Sequence, residues 1–351
     1  MTASVSPESG RWSGAPFLLP PNQPARRPYR GGAGIARFRG LPWDGSDPFT
    51  PEDFLGSTTS IHGSDSIGVT VLEPELTLRD AVGSDPRGFL GPEHVERHGA
   101  ETMLLVKLLD TAERLFVHVH PDDAFAAARL SEPRGKTEAW IIVAVDEAAE
   151  GFAAIGFSRE VSKDEAARWF AEQDVDGMLA AMHRVPLSPG DTLLVPAGVP
   201  HAIGPGVTLV ELQQPQDLSI LLEYAGYGLT EQDALIGLDV GSALEALDRR
   251  AWSAEDLRGL SAPARPVRPG VTAVFPPSAE RFFRAERITA PDAERLEPGF
   301  SIVVVTGGAG GFAWDGGELA VRAGDVALIP YGAGAVRLLG DFEAIRARPP
   351  A

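Results

Sequence analysis

A strand-turn unit that occurs twice in the 351 residues constrains the fold more than any other feature of the chain. The first copy runs from Leu187 to Gly198 and the second from Val321 to Gly332. In each copy a Gly-Asp pair forms a tight turn and a short apolar strand follows. A Pro-x-Gly segment ends that strand, because proline cannot donate to the sheet and glycine permits positive φ. The repeat predicts two related antiparallel barrels or jelly rolls.

Apolar runs elsewhere predict further strands. Residues 103–109 form an almost continuous apolar run, which is typical of a strand buried on both faces, and short β-branched runs between 66 and 83 also predict strands. Ser162 begins a polar-apolar stretch and Glu165 follows three residues later, a capping-box pattern that predicts a helical insertion. Other predicted elements are strands at 115–120, 139–145, 192–195 and 207–213, helices at 122–130 and 242–258, and a linker at 261–269.

These patterns predict a mainly β fold, with tandem jelly-roll barrels and a small helical insertion. The chain is thereby divided into five parts. They are an N-terminal arm (residues 1–45, loosely structured), a first barrel that carries the candidate site (46–160 and 184–240), the helical insertion (161–183), a helix and linker (241–269), and a second barrel (270–351).

Composition and charge exclude several classes of function. The formal net charge of −18 argues against nucleic-acid binding, because the chain has no surplus of Lys and Arg to neutralise phosphates. The absence of cysteine excludes disulfides and thiolate metal sites, so any metal must be held by His, Asp, Glu or Gln. The first 20 residues show no basic start followed by a long apolar stretch. We therefore expect a cytoplasmic protein with no nucleic-acid or membrane partner.

Four residues of the first predicted barrel have the pattern of a metal site. His118 and His120 lie two apart in a strand, so both imidazoles point to the same face. The segment from Gly190 to His201, with Pro196-x-Gly198 inside it, matches the second signature of the cupin superfamily, and the His-x-His pair fits the first. Glu138 begins the next strand. Three imidazoles and one carboxylate suit Zn, Mn, Fe, Co or Ni, and the spacing alone does not choose among them.

The second predicted barrel lacks this pattern. Its position equivalent to His201 is Ala335, and no histidine follows His201 in the chain. We therefore predict a second barrel that holds no such metal and has a structural role. The four other histidines are interpreted as solvated side chains in loops or on an amphipathic helix: His62, His94, His98 and His183.

Around the candidate ligands the sequence resembles the type I mannose-6-phosphate isomerases of the shorter bacterial kind. The segments that carry this resemblance are 104–110, 119–123, 135–140, 195–206 and 211–214. The resemblance implies a metal-dependent sugar or sugar phosphate isomerase. Such an enzyme interconverts an aldose and a ketose through a cis-enediol, and its divalent ion is usually zinc.

The resemblance also implies roles for individual residues. One divalent ion would be held by His118 (in the position of a family glutamine), His120, Glu138 and His201. Lys136, beside Glu138, is predicted to contact the sugar oxygens or phosphate, and the two are the candidate catalytic residues. Lys107, a cation inside an apolar strand, and Glu211 are predicted to bind the substrate.

The other half of the site departs from the family pattern. A serine implicated in phosphate binding is replaced by Phe116, and a catalytic arginine by Leu221. Glu223 and Tyr224 replace the family residues just beyond. The loss of a guanidinium from a desolvated site typically costs several kcal/mol of transition-state stabilisation. We expect a changed substrate end, for which Arg30 or Arg134 could supply a replacement cation.

Three functions are consistent with these observations. The first is an isomerase of a hexose or hexose 6-phosphate, with a small sugar as its only partner and a monomeric or homodimeric state. The second is a metal-cupin enzyme of another class, because three His and one Glu match those cupins better than a set containing Gln. The third is a sugar-binding protein that has lost catalysis.

Overall fold

The computed structural model describes residues 9–290 and 293–351. Its strands are β1 (Phe17–Leu18), β2 (Glu52–Leu55), β3 (Val71–Glu73), β4 (Leu76–Thr77), β5 (Leu105–Thr111), β6 (His118–Val119), β7 (Glu138–Val145), β8 (Phe152–Phe157), β9 (Met182–Pro186), β10 (Thr192–Val195), β11 (His201–Ile203), β12 (Val207–Gln213), β13 (Ile220–Leu221), β14 (Arg265–Arg268), β15 (Val271–Ala273), β16 (Arg284–Thr289), β17 (Arg295–Leu296), β18 (Ser301–Trp314), β19 (Gly317–Arg322), β20 (Val326–Ile329) and β21 (Val336–Arg348).

The helices are short. They are α1 (Ser9–Ser13), α2 (Ala33–Arg39), α3 (Leu78–Ser84), α4 (Pro86–Leu90), α5 (Pro92–His98), α6 (Asp123–Phe125), α7 (Lys163–Glu172), α8 (Val175–Ala181), α9 (Glu231–Ala234), α10 (Val240–Ala243) and α11 (Ala254–Gly259). Within the described ranges, each helix is too short or too polar to cross a bilayer.

The strands form antiparallel sheets in two groups. Two five-stranded sheets, in the orders β10-β7-β12-β5-β2 and β13-β6-β11-β8-β9, form the first barrel. A nine-stranded sheet with the central order β20-β18-β21-β16 forms the second barrel. The predicted mainly β class with a small helical component is confirmed.

The two copies of the sequence repeat have the same local structure. In the first, the backbone N–H of Ser188 donates to Asp191 Oδ2 over 2.7 Å, and φ of Gly190 is 94°. In the second, the N–H of Arg322 donates to the side chain of Asp325 over 2.9 Å, and the preceding glycine has a φ of 90°. A non-glycine residue would be strained at either glycine. Strands β10 and β20 therefore each begin after a turn of the same geometry.

Packing between the barrels determines which residues face the interior of the first one. Leu108 of β5 and Val210 of β12 share an apolar cluster with Ile302 of the second barrel. Because side chains alternate along a strand, Lys107 and Glu211 face the interior of the first barrel. Both are almost fully buried there.

The N-terminal arm is more ordered than predicted, although residues 1–8 lie outside the described ranges. It contains two short helices, and Tyr29 and Ile35 are buried. Helix α2 is held against the first barrel because the N–H groups of Gly32 and Gly34 donate to Asp110 over 2.7 and 2.8 Å. Strand β1 pairs with β20 of the second barrel. The arm thus contacts both barrels.

Several local predictions were wrong. Residues 78–84 form helix α3 rather than a strand, because Thr77 and Asp80 make a reciprocal capping box. The predicted helix at 242–258 is interrupted, and α11 has its own cap at Ser253. The predicted linker contains strand β14. At α3 a short-range polar contact therefore determined the local structure.

Candidate metal centre

Three buried imidazoles converge inside the first barrel. His201 begins β11 and pairs directly with His118 of the neighbouring strand β6, and His120 follows that strand. One nitrogen from each ring lies within 4.8 Å of the other two. The Pro-x-Gly turn also contributes to this arrangement, because the N–H of Gly198 donates to the carbonyl of His120 over 2.8 Å.

Backbone carbonyls fix the orientation of all three rings. His118 Nδ1 lies 3.0 Å from the carbonyl oxygen of Phe116, and His201 Nδ1 lies 2.8 Å from that of Val199. His120 Nδ1 lies 2.8 Å from the carbonyl of Leu218. A carbonyl oxygen only accepts, so each Nδ1 carries the proton and each Nε2 keeps a lone pair. A metal-ligating histidine usually donates its other ring N–H in this way.

Glu138 lies among the imidazoles. Its Oε2 is 2.9 Å from His120 Nε2, and its Oε1 is 3.3 Å from His201 Nε2. The indole N–H of Trp140 donates to Oε1 over 2.9 Å. Burial opposes ionisation, but the ammonium of Lys136 and then His120 hold the pKa of Glu138 well below its usual value. The carboxylate is therefore ionised and fixed in place.

The donor set fits a divalent metal ion. His201 Nε2 is buried and forms no hydrogen bond, a costly state unless another ligand occupies its lone pair. Burial, followed by the other two imidazoles, lowers the pKa of His118 well below its usual value. Burial and then Lys136 lower the pKa of His120 to about 4. These two rings are neutral near pH 7, the form that binds metals.

Lys136 lies directly beside the candidate ligands. Its Nζ is 2.6 Å from Glu138 Oε2 and 3.0 Å from His120 Nε2, and the residue is 4% exposed. A buried ammonium group next to the carboxylate can donate to an oxygen of a molecule bound there. The contact with sugar oxygens or phosphate that the sequence predicts for Lys136 stays a prediction.

Lys107 is surrounded by carboxylates. Its Nζ lies 3.0 Å from Asp217, 3.2 Å from Glu52 and 3.9 Å from Glu211. Burial opposes its charge, but Asp217 and Glu52 raise the pKa of Lys107 above its usual value. Lys107 and Glu211 thus belong to one buried ionic network.

Sequence reasoning missed half of this network. The guanidinium of Arg27 lies 2.8 Å from Glu52 and 3.5 Å from Asp217, and the hydroxyl of Tyr29 donates to Glu52 over 2.9 Å. Glu52 is a carboxylate in a fully buried strand, and this was the available signal. Arg27 lies in a Pro- and Arg-rich segment in which no pattern indicates a buried charge.

Glu211 differs from the other carboxylates of the network. Burial, and then the nearby charge of Glu138, raise the pKa of Glu211 to about 8. By contrast, Lys107 and Arg27 hold the pKa of Asp217 well below its usual range, although burial opposes its ionisation. Of these two carboxyls, Glu211 is therefore the one whose protonated form the site favours.

Sequence similarity to known proteins covers part of the chain. Over 137 residues it is 39% identical to a mannose-6-phosphate isomerase of Streptococcus mutans, which is 38% of this chain and 41% of that protein. The match thus spans less than half of the length of this relative. No family model matches the chain.

Solved structures extend the likeness to almost all of the chain. The mannose 6-phosphate isomerase of Bacillus subtilis has a TM-score of 0.66 at 22% identity and covers 95% of this chain and 99% of its own. The chain has the mannose-6-phosphate isomerase fold. A mannose 6-phosphate isomerase bound with zinc and yttrium gives a TM-score of 0.72 at 16% identity, with coverages of 96% and 100%. The resemblance to the type I mannose-6-phosphate isomerase family is confirmed.

The departures from the mannose-6-phosphate isomerase pattern border His118. Leu221 of β13 pairs with His118 in register, and the ring of Phe116 lies edge-on to it at 5.2 Å. Glu223 accepts two hydrogen bonds of 2.6 Å from Arg114. Apolar side chains therefore line this end of the site, and the neighbouring carboxylate of Glu223 is already paired with Arg114.

The two arginines suggested as replacement cations lie elsewhere. Arg30 is exposed, with its guanidinium 5.8 Å from the ring centre of Phe49. Arg134 pairs with Glu101 and lines a cleft of about 540 Å³ that Asp217 also lines. Arg134 thus borders a cavity that reaches the ionic network.

The remaining histidines are not part of the metal cluster, although His62 lines the cleft beside Asp217 and its backbone N–H donates to Asp217 over 3.3 Å. His62 is exposed, and His94 and His98 lie close together on α5. His183 lies on strand β9, not on a helix as predicted, and its Nε2 is 2.8 Å from the carbonyl of Trp252. His183 is half-buried, and His94 makes a similar contact of 2.6 Å to the carbonyl of Glu101.

Proposed function

We propose that the protein is a metal-dependent aldose-ketose isomerase that acts on a hexose or hexose 6-phosphate through a cis-enediol. The observation that carries this proposal is the buried cluster of three oriented imidazoles and Glu138, with Lys136 in direct contact. Similarity to proteins named mannose-6-phosphate isomerase supports the same reaction. The relative from Streptococcus mutans is matched over less than half of its length, so the activity itself needs a direct test.

The proposed ligands are His118, His120, Glu138 and His201, through the Nε2 atoms and the carboxylate. Zinc is the ion we propose, supported by the neighbour that binds zinc, with Mn, Fe, Co or Ni as alternatives. Bound there, a divalent ion would polarise the sugar carbonyl and stabilise negative charge on its oxygen.

The proton transfer is assigned to residues of the ionic network. Lys136 donates to a sugar oxygen and orients the carbonyl carbon and its neighbour. Glu211, with a pKa near 8, can accept a proton from one carbon and return it to the next. Lys107 holds Glu211 and Asp217 in place, while Glu138 fixes Lys136.

The substrate end is proposed to be the cleft of about 540 Å³ beside Asp217. Its size is within the range of small-ligand sites. Arg79 lines it, and its guanidinium donates to the carbonyls of Thr58 and Asp65 over 2.7 and 2.9 Å. Among the described residues it has no carboxylate partner within 4.0 Å, so its charge is available to a phosphate.

A panel of sugars tests this function. Aldoses and ketoses, each with and without a 6-phosphate, are incubated with the protein in heavy water, and deuterium at C2 is followed by NMR. Exchange with at least one sugar, lost in His201→Ala, supports the isomerase. Absence of exchange with every sugar, despite bound metal, contradicts it.

The ligand set itself favours one alternative. His118 stands where the isomerases carry glutamine, and three His with one Glu are typical of cupin enzymes of other classes. Metal analysis decides between them, because bound iron with oxygen uptake indicates an oxygenase. Sugar binding without exchange indicates the third possibility, a non-catalytic sugar-binding protein. We further propose a cytoplasmic protein that is a monomer or homodimer.

A further inference from the structure

The second barrel has a buried polar group at the position equivalent to the ionic network of the first. In the first barrel, Glu211 is paired in register with both Trp140 and Lys107. In the second, Arg346 is paired with Val303 and Glu286 in the same relation. Strand order and the repeated Gly-Asp turn make β18, β21 and β16 the counterparts of β7, β12 and β5.

The signs of the two paired charges are reversed between the two barrels. The Lys107–Glu211 pair corresponds to Glu286–Arg346, whose charged atoms are 3.5 Å apart. Arg346 is 1% exposed, and its guanidinium also donates to Ser301 over 3.1 Å. At this position the interior of the second barrel is therefore cationic, whereas that of the first is rich in carboxylates.

Three arginines share this end of the second barrel. Arg348 lies directly opposite Arg284 on the neighbouring antiparallel strand, an arrangement in which like charges repel. Glu286 is the one carboxylate within 4.0 Å of any of the three among the described residues, and it contacts Arg346 and Arg348. The group carries an excess of two positive charges, although the chain as a whole has a net charge of −18.

The donors of these arginines are not fully used. Arg348 Nε is buried and has no hydrogen-bond partner. Among the residues that the structure describes, Arg284 donates only to the carbonyls of Pro349 and Pro350, over 2.9 and 3.3 Å. Burial and then the charge of Arg348 lower the pKa of Arg284 to about 10.

A cavity of about 480 Å³ opens onto the same arginines. Arg284 and Arg348 line it from the second barrel, and Glu93, His94, Arg97 and His98 of α5 line it from the other side. Ala351 lines it as well. The cavity is separate from the candidate metal centre, none of whose ligands lines it.

We propose that this cavity is a second ligand site, which binds a phosphate dianion or phosphate monoester through Arg284 and Arg348. A dianion suits the cationic side chains that line the cavity, Arg97, Arg284 and Arg348, since a phosphate monoester carries about −1.5 to −2 near pH 7. Two guanidinium forks on adjacent strands can bind its oxygens from two sides. The proposal does not depend on the reaction at the metal centre.

Calorimetric titration of the full-length protein with inorganic phosphate tests the site, in phosphate-free buffer. The variants are Arg284→Gln and Arg348→Gln, and Arg337→Gln is a matched control because it lies on the same strand but is exposed. A His201→Ala variant reports on the metal centre. We expect at least about tenfold weaker phosphate binding in the first two variants and unchanged binding in the others.

Three results would overturn the proposal. They are no phosphate binding by the unaltered protein at millimolar concentration, unchanged binding in both Arg284→Gln and Arg348→Gln, and loss of binding only in His201→Ala. If one arginine variant does not fold, the other decides. Mannose 6-phosphate is titrated in parallel into the His201→Ala variant. Tighter binding than that of inorganic phosphate indicates that the site recognises a monoester, and equal binding indicates that it recognises the phosphate group alone.

Discussion

Replacing Lys107 by methionine should destabilise the protein strongly and in a pH-dependent manner. The change keeps the length of the side chain but leaves Glu52, Asp217 and Glu211 without their shared cation. Lys107 is 2% exposed, and the three carboxylates lie 3.0 to 3.9 Å from its Nζ. Removal of one partner from a buried ionic pair typically costs about 3–5 kcal/mol, and Arg27 can compensate only in part.

The sign of the pH dependence follows from the pKa shifts. Lys107 and Arg27 hold the pKa of Asp217 below its usual value, so this contribution to stability is present above the unfolded pKa and is lost as the pH falls. Without Lys107, the folded-state pKa values of the carboxylates rise and protonation relieves their repulsion. The penalty should therefore be largest near pH 8 and shrink towards pH 5.

Urea denaturation of the unaltered protein and of Lys107→Met, at pH 8 and pH 5, measures this difference. Lys163→Met is the control, since Lys163 is an exposed lysine at the start of a helix. A free-energy loss below about 1 kcal/mol, the size expected for exposed pairs, would refute the reasoning. A loss that does not change with pH would refute its electrostatic part.

Three further predictions concern the metal centre. His120→Ala and His201→Ala should each lose bound metal by elemental analysis, whereas His183→Ala should retain it. Trp140→Phe removes the indole donor to the ligand carboxylate, and metal affinity measured by chelator competition should fall about 10- to 100-fold. Leu221→Arg places a guanidinium beside the imidazoles, and turnover of mannose 6-phosphate should rise about tenfold or more if this position limits it; no rise shows that it does not.

The candidate ligands were predictable because their geometry is local. In a strand, a His-x-His pair places both side chains on the same face, and the Pro-x-Gly turn fixes where the strand that begins at His201 starts. The repeated Gly-Asp turn likewise indicated two related barrels, because each copy specifies the same turn and the strand that leaves it. Lys107 was recognisable as a cation within an apolar strand.

The other half of the network could not be predicted, because it is assembled from distant segments. Arg27, Glu52 and Asp217 are separated by up to 190 residues, and each alone is an ordinary charged residue. Pairing across such a distance depends on how the arm folds over the barrel, which no short pattern determines. Helix α3 was missed for a different reason, because it follows directly after a β-branched run and its start depends on the capping contact of Thr77 with Asp80.

The position of strand β1 has a consequence for the order of folding. Residues 17 and 18 pair with residues 327 and 328, so an early segment of the chain completes the edge of the last barrel to be synthesised. Until then that edge has no native partner, and open strand edges promote self-association. Contacts of such large sequence separation also slow folding. Because the same arm is anchored to the first barrel, the two halves should gain and lose structure together, and release of the arm would expose a surface prone to aggregation.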